Sequence, residues 1–389
     1  MAKQTAEEIR NKVTEMMVKA INENTPPWRK PWSVSVAGGV PCNFLNGRRY
    51  TGINPLILLF MSIINDYSSK FWGTSASWLK NTGCHVVRDN HATYITLFKM
   101  MPKKDSKGVI QKNSKGEDVL FPMLREFPVF NAEQLQAPTV ETLLDGRCTS
   151  RGGIVKILLG CEDRLARTSI TTTAELLLIA KRYLPKKSQP KKSWTREKIA
   201  QAIHQGIAAN LSKYVAVLAD QQNEPDFEPA EEFIKATGVE IKFGGQKASC
   251  NWETGIIKSP KKSTFDSMGD YYETVFHEMV HWTQKKDRVG IKEQGEEADQ
   301  YAFNELVAEI GACFLVMEFQ IPMAEEMLEK SKSYVKNWLT KMDSDPKYIF
   351  DAATQAGKAV DYLLSFVGRQ NPSFFVIEES ESEADREAA

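Results

Sequence analysis

The chain has 389 residues with 50 Lys and Arg against 50 Asp and Glu, a length that implies two or three domains with ample apolar core. The zero net charge hides a division: residues 1–136 hold 18 basic and 11 acidic side chains, residues 137–225 hold 14 and 8, and residues 226–389 hold 18 and 31. Six scattered cysteines without a CxxC pair exclude a disulfide framework, the longest apolar run (53–64) is too short to span a bilayer, and no secretory signal is read, so a cytoplasmic protein without a membrane segment is expected.

In chain order, Ile9, Val13, Met16, Met17, Ala20 and Ile21 form one stripe of an amphipathic helix. Pro26 and Pro27 stop it, and Trp28, Arg29, Lys30 and Trp32 then set aromatic rings beside cations. Stacked bases and paired phosphates need that combination, although a Trp/Pro-rich loop packed on a core reads the same way. Residues 41–54 suggest strand, turn and strand, with the turn at Asn46-Gly47, followed by an apolar helix through Ile64. A short extended piece at 71–74 precedes a helix over 75–82 that ends at Gly83. Residues 84–101 and 119–130 read as strands around a polar hairpin loop, 102–118, which makes the N-terminal part α+β. A basic, proline-bearing segment (181–198) in the next region leads into a helix over 195–210 capped by Ser193, and suits a solvated linker or a phosphate contact. Residues 228–258 read as a helix (230–237) and three strands (239–243, 248–252, 255–258). Helices at 326–342 and 346–367 precede an acidic tail, 378–389, expected to be disordered.

Between these lies the chain's chemistry. His277-Glu278-x-x-His281 sits in an apolar, helix-patterned run, and the chain has only five histidines. Residues four apart on a helix lie about 40° apart around its axis, so both imidazoles can reach one ion. Glu278 flanks that face, where a carboxylate can take a proton from a metal-bound water. A second apolar run, 301–315, carries Glu305 and Glu309, also four apart. A catalytic zinc takes three protein ligands and keeps one position open. We therefore read His277, His281 and Glu305 as ligands and Glu309 as the carboxylate that receives a proton from a ligand imidazole. The reverse assignment of the two glutamates, and a purely solvating role for both, remain open. The cofactor expected is one zinc ion, or another divalent metal.

The basic first 225 residues and the acidic remainder suggest a polyanion-binding module joined to a catalytic-type module, while solubility alone also accounts for such a split. We expect domains at 1–136 and 226–367, a basic insertion with helices at 137–225, and a tail at 368–389.

The pattern from Pro41 and Asn43 to Tyr50, Gly52, Ile53 and Asn54, then Trp72 and Thr74, then 129–134, resembles the single-strand-binding N-terminal domain of ArdC-type antirestriction proteins, a domain shared with plasmid-transfer primases. Tyr271-Tyr272 before the His277 motif, Arg288, the run 304–309, and the stretches 338–345 and 349–353 resemble that family's zincin-like metallopeptidase domain. The resemblance implies an α+β protein: a single-strand-binding front domain and a mainly helical zincin-like domain with a small sheet. It implies a mobile-element protein that binds single-stranded DNA and shields transferred DNA from type I restriction. The expected DNA contacts are Trp28, Arg29, Lys30, Trp32, Asn43, Arg48, Arg49, Tyr50, Asn54 and Trp72. Two other readings stand beside it: a zinc metallopeptidase that cleaves a host restriction or regulatory protein, and a transfer accessory protein without enzymatic activity. No phosphate-cradling glycine loop or nucleotidyl-transfer acidic cluster is visible, so priming is not expected.

Overall fold

The computed structural model describes residues 5–23, 26, 28, 39–87, 90–103, 109–113, 115–145, 158, 171–215, 227–251, 253–293, 296–322 and 332–369. The acidic tail expected at 378–389 lies outside them.

Helix α1 (Ala6–Asn22) starts in a capping box: Thr5 Oγ1 accepts from the Glu8 N–H, and the Glu8 carboxylate accepts from the Thr5 N–H. Its stripe of Ile9, Val13, Met17, Ala20 and Ile21 is buried as the periodicity requires. The turn after β1 (Cys42–Asn43) places Gly47 at φ 67°, and Arg49 bridges back to Cys42. Helix α2 (Asn54–Asn65) is apolar on nearly every side, a pattern that demands burial on more than one face.

Strand β2 (Phe71–Gly73) leads to helix α3 (Ser75–Thr82), which Thr74 caps at the start and Gly83, with φ 79°, ends. Strand β3 (His85–Val86) pairs with β6 (Leu135–Gln136) in a small second sheet. The long hairpin forms from β4 (Thr93–Pro102) and β5 (Leu120–Asn131), in unbroken register from Thr93 opposite Val129 to Pro102 opposite Leu120. The main sheet has the order β1-β2-β5-β4, with β4 at one edge. Asn54 closes part of that edge. Its side-chain amide donates to the Thr96 carbonyl at 2.8 Å and accepts from the Thr96 N–H at 2.8 Å, standing in for a further strand.

After α4 (Val140–Asp145), helices α5 (Thr173–Tyr183) and α6 (Arg196–Leu211) pack with α3 and β5 in one apolar cluster that includes Phe44, Trp78, Phe130, Ile179 and Ile203. Trp78 stacks on Phe44 with centroids 3.6 Å apart and donates its indole N–H to the Phe130 carbonyl. The N-cap of α6 is Thr195, which accepts from the Lys198 N–H, and not Ser193 as the sequence suggested. Both are hydroxyl residues, but Thr195 has the extended backbone of an N-cap (φ −67°, ψ 161°) while Ser193 lies in the turn before it.

The last third opens with α7 (Glu228–Thr237) and a three-stranded sheet, order β7-β9-β8, from β7 (Ile241–Phe243), β8 (Ser249–Cys250) and β9 (Ile257–Ser259). Helices α8 (Met268–Thr283), α9 (Glu297–Glu318), α10 (Lys332–Ser344) and α11 (Tyr348–Ser365) follow. One continuous core joins them to the front of the chain: Val13, Met17 and Ile21 of α1 and Leu56, Ile57 and Leu59 of α2 share it with α8, α9 and α11. Leu58, on the other side of α2, packs on Trp72 and Val129 of the main sheet. Helix α2 is therefore a two-sided spacer, which accounts for its all-round apolarity. Arg49 adds an ionic tie, reaching Glu318 of α9 at 3.1 Å and Asp361 of α11 at 3.0 Å. Among the described residues no helix is long and apolar enough to cross a membrane.

Asn54→Ala removes the partner that, among the described residues, satisfies the outward backbone of Thr96, and each buried group left unpaired costs about 1–3 kcal/mol. We expect a clearly lower urea midpoint with an unchanged slope. An unchanged midpoint would mean that water replaces the amide at this edge.

Candidate metal centre

Helix α8 begins at Ser267, whose hydroxyl oxygen accepts from the Asp270 N–H at 3.1 Å. Its buried flank is aromatic: Tyr271, Tyr272 and Phe276 pack among Phe227, Phe233, Phe265 and Phe319. Glu231 of α7 accepts from the Tyr272 hydroxyl and from Lys262, which fixes the helix against its neighbours. Glycines let the elements close in. A Cβ at Gly311 of α9 would lie 2.7 Å from Val280 Cγ2, and one at Gly269 would lie 1.9 Å from the Pro322 carbonyl oxygen. Any larger residue at these two points would push α9 and its exit off α8.

This approach brings three side chains to one point. His277 Nε2 and His281 Nε2 are 3.1 Å apart, and Glu305 Oε2 lies 3.5 Å from His277 Nε2 while its Oε1 lies 3.4 Å from His281 Nε2. Among the described residues these three form a group able to hold a metal ion. Donors placed ~2.05 Å from a tetrahedral ion stand ~3.3 Å from one another, close to the separation of the two imidazole nitrogens and of each from its nearer Glu305 oxygen.

The proton inventory agrees with a ligand role. Gln284 Nε2 donates to the Asn304 carbonyl at 3.2 Å, which turns its Oε1 toward His281 Nδ1 at 3.0 Å. A carbonyl oxygen only accepts, so His281 carries its proton on Nδ1 and leaves the Nε2 lone pair facing His277 and Glu305. Burial works against a charged His277, yet the Glu305 hydrogen bond and the charges of Glu309, Glu305 and Glu278 outweigh it and carry the imidazole up to about 9. Burial also opposes ionisation of Glu305, but its contact with His277, through hydrogen bond and charge, holds its carboxyl far below the usual range. The carboxylates of Glu305, Glu309 and Glu278 thus hold positive charge at this point, and a divalent cation bound there would take the place of the His277 proton.

Glu278, 8% exposed, follows His277 on the same helix. Burial raises its carboxyl, while the charge of His277 and a hydrogen bond from the backbone of Cys250 on β8 pull the other way. Burial, with Glu278 nearby, pushes the Cys250 thiol up to about 12, so it stays protonated. Glu309, one turn beyond Glu305, is 8% exposed, and its charge acts on His277. Gln284 was not anticipated from the sequence. Its only signal there is an amide three residues after His281, and its orientation depends on α9.

The residues expected at nucleic acid are distributed differently. Trp28 and Trp72 are 2% and 0% exposed, so neither ring offers a face for a base. Asn54 is committed to Thr96, and Arg49 to Glu318 and Asp361. Asn43 accepts from the Leu45 N–H, and the Tyr50 hydroxyl donates to the Trp72 carbonyl, so both brace the turn that carries exposed Arg48. Arg29, Lys30 and Trp32 lie outside the described residues.

Comparison with known proteins follows the same division. Residues 7–130 match the family model described as the N-terminal domain of anti-restriction factor ArdC, and residues 228–355 match one described as a zincin-like metallopeptidase. Two curated Escherichia coli proteins named DNA primase TraC are each 25% identical over 92% of this chain, which spans only 27% and 20% of their lengths. An uncharacterised Sinorhizobium fredii protein, y4eC, is 20% identical, with 92% of each chain covered. The metal-free crystal structure of the antirestriction protein ArdC from plasmid R388 superposes with a TM-score of 0.61 at 25% identity, covering 94% of this chain and 100% of that one. The Mn(II)-bound structure of ArdC gives a TM-score of 0.56 at 24% identity over 92% of this chain and 98% of that one. With an ArdC N-terminal domain ahead of a zincin-like domain, and with the ArdC fold along nearly its whole length, the chain belongs to the ArdC-type antirestriction family.

Proposed function

We propose that this protein is a mobile-element DNA-protection factor that binds single-stranded DNA through its front half and carries one zinc ion in its zincin-like half. The observation that carries the reading is the three-ligand cluster of His277, His281 and Glu305 beside buried Glu278, in a core shared with the ArdC-type front of the chain. The donor set favours zinc: two imidazoles and a carboxylate are a common catalytic zinc set, with one position left for a water or substrate. That the related ArdC of R388 is described in an Mn(II)-bound form supports a divalent metal and leaves other ions as competitors. The basic excess of residues 1–225 supports a polyanionic ligand for the front half.

Zinc held there supplies a Lewis acid and an acidified water. The protein's own contribution begins with Gln284, which keeps His281 in the tautomer that offers Nε2. Glu278 is the general base, with its affinity for a proton raised by burial, and it is the group placed to return that proton to a leaving amine. Glu309 backs His277 electrostatically. The second reading, an active peptidase that cleaves a host restriction or regulatory protein, rests on the same residues and differs only in whether turnover produces the protection.

Zinc should bind in a ratio of one ion per chain and raise the melting temperature of the parent protein, since ligand at ~1,000-fold over its Kd adds ~4 kcal/mol of stability. The His277→Ala/His281→Ala variant should lose both effects; retention would place the ion elsewhere.

Fluorescence anisotropy with a labelled oligothymidylate against duplex of equal length should show preference for the single strand and a steep loss of affinity with salt. No binding at low salt would remove the DNA-protection reading. Glu278→Gln should leave DNA binding intact. If protection of DNA transferred into a type I restricting host survives that change, it comes from binding; if protection is lost, the peptidase reading replaces it.

A further inference from the structure

Among the described residues the turn that carries Arg48 is one small cationic point and Trp28 and Trp72 are buried, so exposed apolar side chains that a strand could stack on lie elsewhere. Seven of the thirteen exposed large hydrophobic side chains among the described residues lie between positions 94 and 121, on the β4–β5 hairpin. Phe98 is 57% exposed, Met100 44%, Leu120 49% and Phe121 43%.

The register sorts them. Phe98 stands opposite Leu124, and Pro102 opposite Leu120, so Phe98, Met100 and Leu120 share one face. Phe121 stands opposite Met101 on the other face. Nearer the root of the hairpin the same strands bury Thr93, Thr96, Leu124 and Val129. The hairpin therefore leaves the body as a ribbon whose outer part is apolar on both sides. A sheet face awaiting a protein layer is apolar on one side only, as in ordinary half-buried sheets. Long exposed apolar strand edges invite aggregation unless something else occupies them.

Charge selects the occupant. Residues 93–131 hold seven Lys and Arg against four Asp and Glu. Lys103 and Arg125 are exposed, and neither forms an ion pair among the described residues. Phe98 and Met100, two positions apart on a strand, stand ~6.8 Å from each other, which admits one base ~3.4 Å thick between them. Unpaired bases stack on such side chains without regard to sequence, while cations beside them neutralise phosphates.

We infer that the outer β4–β5 ribbon is the stacking platform for single-stranded DNA, with bases against Phe98 on one face and against Phe121 on the other, and with Lys103 and Arg125 on the Phe121 side against phosphates. The inference rests on the strand-binding reading and adds to it the surface that performs it.

The test compares the full-length parent with Phe98→Ala/Phe121→Ala and with Lys103→Ala/Arg125→Ala, by anisotropy on the same labelled oligothymidylate over a salt series. Removing the two rings should weaken binding about tenfold per ring with an unchanged salt slope, because base–aromatic stacking contributes ~1–3 kcal/mol. Removing the two cations should lower the slope by about one to two. All four side chains are exposed, so melting temperatures should match the parent's and losses cannot be ascribed to unfolding. Parental affinity in the ring variant, with the parent itself binding, overturns the platform and leaves the strand-binding reading standing. If the ring variant instead keeps its affinity and changes from dimer to monomer by light scattering, the apolar ribbon is a self-association surface. No binding by the parent at low salt overturns both.

Discussion

The geometry of the metal centre depends on how near α9 can come to α8. Gly311 sets that distance, because any Cβ there would enter the Val280 side chain. Two rigid helices pressed together hold their side chains more accurately than loops can, and a three-ligand site tolerates little error. With α9 at this distance Glu305 spans both imidazoles, and Asn304, its neighbour in sequence, offers the carbonyl that orients Gln284. One close approach thus fixes Glu305 against both imidazoles and the tautomer of His281.

The same economy joins the two halves of the chain. Helix α2 gives Leu58 to the main sheet and Leu56, Ile57 and Leu59 to the core around α8 and α9. Arg49 spans the seam and satisfies two carboxylates from α9 and α11. A half-buried guanidinium with two partners is more strongly held than a surface pair, since its charges are less screened. The front of the chain and the metal helices accordingly pack as neighbours in one core rather than as beads on a linker.

These contacts explain which parts of the protein were legible in its sequence. The meeting of His277, His281 and Glu305 was, because its signal is local: spacing within α8, and an acid pair in an otherwise apolar α9. The strands of the hairpin were, because β-rich runs flank a polar loop. Positions whose meaning depends on a distant partner were not. Trp28, Trp72, Asn54 and Arg49 look like nucleic-acid residues one at a time, since an aromatic ring or an arginine reads alike in a core and on a surface. The structure commits them to internal packing, to Thr96, and to Glu318 and Asp361. Gln284 was silent for the converse reason, because an amide at a helix end is ordinary until Asn304 turns it. The exposed rings of the β4–β5 ribbon were hidden by their own strand pattern, which reads as core.

Charge adds a last constraint on how such a molecule works. Residues 1–225 carry an excess of 13 positive side chains and residues 226–389 an excess of 13 negative ones. A polyanion is drawn to the first and repelled by the second, over about 8 Å of Debye length at physiological salt. With both halves packed in one core, a strand held at the front cannot be accommodated at the acidic metal helices without working against that field. The field therefore favours a division of labour in which nucleic acid stays away from the His277–His281–Glu305 cluster.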